Sequence, residues 1–142
     1  MRRFFQFCGV GLLSLLIIYA ALRVYVGWAT YRHAVSAEAR VLGPAGQPAF
    51  AHLPNPQSEE RVAIGFAVFH ACGLWPRHVV YSGDRVYAFA PLGKVFVLIT
   101  GGLDNYHVES RSQWEGKPHD FPFPETPAKD DWPSQMASAP SE

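Results

Sequence analysis

His70, Cys72, His78 and His107 are the residues from which this chain could most readily build a metal site. Imidazole nitrogens and thiolates are the ligands that zinc and its neighbours prefer. The spacing argues against such a site. His70 and Cys72 fall in a stretch that reads as helix, where residues two apart point about 200° from one another. They cannot face one ion unless the helix ends at His70. The other histidines, His33, His52 and His119, fall in segments that read as a membrane boundary, a linker and a tail. The expectation is therefore no metal site, with His70 hydrogen-bonded or at an interface.

A second cluster is Asp104, His107 and Glu109, just after Gly101 and Gly102. A carboxylate and an imidazole beside a flexible loop could exchange a proton with a substrate. Asp and Asn after paired glycines are also ordinary turn residues. If 105–110 is a strand, His107 and Glu109 share one face and can form a simple ion pair. The chain has no Gly-x-Ser-x-Gly elbow, no phosphate loop and no Cys/His nucleophile pattern. A small fold also has little room for a pocket. We expect no catalytic residue and no cofactor. A small enzyme or metal-handling protein using His70, Cys72, Asp104 and His107 is the alternative.

Aromatic residues offer a different chemistry, desolvated contact with another protein. Phe66, Phe69 and Trp75 line one edge of the expected helix. Phe121 and Phe123 alternate with prolines further on, and Trp132 follows before Pro133. Buried aromatics dominate binding where water is excluded, and an extended Pro-rich segment can be held by a partner. These six residues are the candidate partner-binding set.

The elements that must carry these residues begin with a charge-free run over 4–22, FFQFCGVGLLSLLIIYAAL, after Arg2 and Arg3. Its 19 residues make about 28 Å of helix, just enough for a hydrocarbon core of about 30 Å. A signal peptide would be shorter in its apolar part and would end at small residues, whereas Tyr19 and Leu22 are bulky. A buried soluble helix would show more polar positions than Gln6 and Ser14. The reading is an uncleaved signal-anchor over 1–32. Tyr25, Trp28 and Tyr31 lie near one helix face as an interfacial belt, and Arg23 can snorkel to the headgroups. Lys and Arg flank the run almost evenly, with Arg2 and Arg3 before it and Arg32 and Arg40 after it. The basic start favours the N-terminus inside and the rest outside, which in a bacterial cell is the periplasmic side of the inner membrane.

Residues 33–57 read as a linker, because 43–56 alone holds four prolines and two glycines. Residues 116–142 hold six prolines and are acidic, and read as a disordered tail. The foldable part is 58–115. Ser58 with Glu59 and Glu60 is a helix start, and Gly73 a stop. The interior, VAIGFAVFHAC, is apolar all round. Such a helix must be covered all round, by a sheet on one side and on the other by the anchor, the bilayer, a second copy or a partner. Three strands follow over 78–81, 85–90 and 95–100, with turn residues between them, and a fourth is expected over 105–110.

The expected fold is α+β: a single transmembrane helix, then one apolar helix on a 3–4-stranded antiparallel meander, then the tail. The chain carries 12 Lys/Arg and 12 Asp/Glu. It has no basic stripe, which argues against nucleic acid as a partner. The expected function is that of a single-pass protein-binding module without enzymatic activity, an accessory subunit of an envelope complex or an anchored toxin-neutralising protein. Its expected partners are the lipid bilayer and a protein, or a second copy, met through the apolar helix. A passive membrane component without a specific partner is the third reading.

Overall fold

A computed structural model describes residues 2–42, 48–53 and 58–124. The chain forms α1 (Arg2–Ala34), β1 (Ser36–Leu42), β2 (Pro48–His52), α2 (Ser58–Cys72), β3 (His78–Ser82), β4 (Arg85–Ala90), β5 (Lys94–Thr100) and β6 (Tyr106–Gln113). A 3₁₀ turn at Pro118–Asp120 is the last element among the described residues. The architecture is α+β, as the sequence implies.

The sheet differs from expectation in size and sense. It has six strands in the order β2-β1-β3-β4-β5-β6. The β3–β4–β5–β6 part is the expected antiparallel meander, but β1 pairs with β3 in parallel. The two additional strands come from the span that reads as a linker. Pro48 opens the edge strand β2, where a missing backbone donor costs little. A parallel neighbour requires a crossover, and α2 lies on the chain path between β2 and β3.

Residues 9–23 of α1 are exposed, and so are Tyr25 and Val26. Among the described residues this is the helix long and apolar enough to cross a membrane. Its last turn behaves differently. Tyr31 is 2% exposed and Val35, the one residue between α1 and β1, is 6% exposed. Both belong to the core beneath α2, with Ile64, Val68, Val79, Val86, Ala88, Phe96 and Leu98. The side of α2 turned from the sheet is closed by α1 through Trp75. The indole lies 5.7 Å from the Tyr31 ring, 5.3 Å from Phe66 and 5.2 Å from Phe69, centroid to centroid. Gly27 of α1 and Gly65 of α2 make room for it. A Cβ at Gly65 would sit 2.6 Å from the indole, and one at Gly27 would fall inside it.

Glu60, in the first turn of α2, ties that end of the helix to the sheet. Its Oε1 accepts hydrogen bonds from Tyr106 (2.6 Å) and Tyr81 (3.0 Å). Burial, reinforced by the Glu60 carboxylate, raises the proton affinity of both phenols, so they remain donors.

The opposite sheet face has its own core of Val80, Tyr87, Phe89 and Val95, closed by Phe123 with Phe50, Trp114 and Phe121 beside it. The chain doubles back after β6: Trp114 N–H donates to the Gly93 carbonyl at 2.7 Å, and its indole N–H donates to the Lys117 carbonyl at 2.9 Å. Part of the expected tail is therefore an ordered cover for the second face. Aromatic side chains separated by Pro122 supply the burial that composition alone conceals.

Candidate functional site

The most unusual chemistry lies on the second face, at the end of the sheet where α1 enters. Ser36 and Glu38 both project from β1 onto this face, Ser36 opposite His78 and Glu38 opposite Val80 in the β3 register. Glu38 is a carboxylate with only 7% of its surface exposed. Three histidines surround it. His78 Nε2 lies 3.3 Å from Glu38 Oε2, and His119 Nδ1 lies 3.2 Å from the same oxygen. His52, across the β1–β2 pair, places Nδ1 4.0 Å from Oε1 and is largely exposed.

Each ring is held from behind. His78 Nδ1 is 2.8 Å from Ser36 Oγ, a contact that fixes the ring plane and directs Nε2 at the carboxylate. His119 stacks on Phe50, with centroids 4.5 Å apart and planes 15° apart. The chain beyond it is fastened by Arg40, whose guanidinium donates to the Phe123 carbonyl at 3.2 Å and sits over the Phe123 ring. Burial lowers the proton affinity of His78, while Glu38 pulls it upward. The first effect is the larger, which favours a neutral imidazole. The cluster can neutralise a buried carboxylate, share a proton or hold a cation.

The residues singled out from sequence are placed elsewhere. His70 is exposed near the C-terminal end of α2. Cys72 is a half-buried free thiol facing the Leu74 carbonyl, beside an open cleft of about 370 Å³ that Lys94, Phe96 and Arg111 also line. Asp104 is exposed with φ 58°, in the left-handed region that short polar turn residues tolerate. His107 is exposed beside Gly101. Glu109 pairs with Arg85, at 3.1 and 3.2 Å. Only His78 of the expected ligand candidates joins the Glu38 group.

Phe66, Phe69 and Trp75 form one half-buried aromatic cluster against α1. Phe121 is half-buried and Phe123 is 8% exposed, both on the sheet. Trp132 lies outside the described residues. Glu38, His52 and His119 were obscured because their segments read as linker and tail. One signal was present: Ala37, Ala39 and Val41 alternate with Glu38 and Arg40, a two-residue period that marks a strand.

Comparison with protein-family models, with curated proteins and with solved structures finds no match for this chain.

Proposed function

We propose that the chain is a single-pass inner-membrane protein, N-terminus inside, that holds a small non-enzymatic domain against the extracytoplasmic bilayer surface to bind a protein in the same membrane. One observation carries the reading: α1 passes without a break from exposed apolar residues into the domain core at Tyr31, with Val35 directly after it. A domain attached this way cannot reach far from the bilayer. Its half-buried Phe66 and Phe69, joined to α1 through Trp75, continue the apolar surface of the anchor. A partner embedded in the same membrane can meet both at once. The accessory-subunit and toxin-neutralising roles share this geometry.

Two measurements test it. A reporter enzyme active only in the periplasm, fused after Glu142, should be active, and activity of a cytoplasmic reporter alone would reverse the orientation. A photoreactive side chain at position 69 should crosslink in membranes to one protein in stoichiometric yield. Adducts to lipid alone would leave the domain a passive membrane component and sink the binding role.

A further inference from the structure

The structure assigns a zinc site to Glu38, His78 and His119, an inference independent of the protein-binding role. The ligand atoms, one from each residue, all lie within 4.8 Å of one another. Four ligands at zinc's usual bond lengths of about 2.0–2.1 Å sit about 3.3 Å apart along the edges of a tetrahedron. The two Glu38 separations, 3.3 and 3.2 Å, already match that edge. The distance between the two imidazole nitrogens must shorten, and His119, whose side chain is half exposed on a 3₁₀ turn, is the group able to move.

Burial and hydrogen bonding supply a second, separate indication. The Glu38 side chain is 9% exposed. Its Oε2 and the His78 Nε2 that faces it are both buried, and their 3.3 Å contact has the distance of an ion pair without the alignment of a well-formed hydrogen bond. A buried contact without that alignment is only partly satisfied as it stands. A cation between the two atoms satisfies both. The Ser36 contact is the partner such a site requires behind its ligand: with the proton on Nδ1 donated to Ser36 Oγ, Nε2 presents a lone pair.

The donor set is two imidazoles and a carboxylate, without thiolate. It suits a borderline divalent ion such as zinc rather than copper(I), which prefers sulfur, or magnesium, which prefers oxygen alone. Three protein ligands leave a fourth position for water or for His52, whose Nδ1 is 4.0 Å from the other Glu38 oxygen. The ligands come from β1, β3 and the segment after β6, so the ion fastens the returning chain across the second face.

The test uses the full chain, without a polyhistidine tag, in nanodiscs, with zinc chloride as the probe. Equilibrium dialysis should give one zinc per chain, and the ion should raise the melting temperature. Glu38→Gln and His119→Ala should each weaken binding at least tenfold, a loss of the size that even supporting residues of such sites produce. His119→Ala removes a half-exposed ring, so it separates lost binding from lost folding. His70→Ala should leave binding unchanged. Cobalt(II) in place of zinc should give the intense visible absorption of a four-coordinate nitrogen–oxygen site. Substoichiometric zinc would overturn the assignment in favour of a cluster bridged by protons. Binding that survives both ligand substitutions, or that is lost with His70→Ala, would place the metal elsewhere and overturn it equally.

Discussion

A chain ending at Gly116 should lose the folded state of its domain. The truncation removes Phe121 and Phe123 from a face where they meet Tyr87 and Phe89 at ring distances of 4.9–5.7 Å. It also removes the Arg40 anchor at the Phe123 carbonyl and re-exposes Val80 and Val95, which are 0% and 1% exposed. Truncating one buried phenylalanine to alanine typically costs about 3–5 kcal/mol, against a total stability of about 5–15 kcal/mol for a domain. Phe123 is buried and carries a loss of that size, half-buried Phe121 adds a smaller one, and together they approach the whole stability of a domain at the lower end of that range. Thermal melting in detergent, followed by near-ultraviolet circular dichroism, should show no cooperative transition for the truncated chain. Phe123→Leu should retain most of the stability and Phe123→Ala should lose several kcal/mol. An unchanged melting curve for the chain ending at Gly116 would mean that the segment merely rests on a sheet that is stable without it.

The second large effect concerns the contact between α1 and the domain. Gly27→Ile should destabilise the domain and free it from α1, because any Cβ at this position occupies the volume of the Trp75 indole. Overpacking commonly costs about 1–3 kcal/mol. Here the indole is boxed by Tyr31, Phe66 and Phe69 and has no low-cost retreat, which puts the cost at the upper end of that range. The decisive comparison is the same substitution in a Trp75→Ala background. With the indole gone, Gly27→Ile should cost little, so the double mutant should be no less stable than Trp75→Ala alone. Melting temperatures of the four proteins in nanodiscs give the coupling. Equal penalties in both backgrounds would show that Gly27 and Trp75 do not touch.

Much of the fold was legible in the sequence where local pattern and tertiary role agree. Ser58 and Gly73 bracket α2, and β3, β4 and β5 follow from β-branched and aromatic runs between turn residues. The requirement that an all-apolar α2 be covered is met in part by the sheet and by α1, one of the options the sequence left open, while Phe66 and Phe69 stay half-buried. The misses share a cause. β1 is built largely from small and charged residues, SAEARVL, with little strand propensity of its own. It is a strand because β3 pairs with it 42 positions later in the chain, Ser36 opposite His78. Glu38 reads as a surface charge until that pairing buries it, and His119 reads as a tail residue until Phe121 and Phe123 find the sheet. Contacts between distant segments assemble the candidate site, and no local window contains them.

The direct passage from α1 into β1 has a mechanical consequence. A transmembrane helix adjusts to the thickness of its bilayer by tilting. A pliable tether between helix and domain would absorb that motion. Here one buried residue, Val35, separates helix from strand, and the Trp75 indole wedges α1 against α2. With α1 spanning a bilayer, as proposed, the domain would swing with the helix as a rigid arm, and the thickness of the surrounding lipid would set the attitude of the sheet.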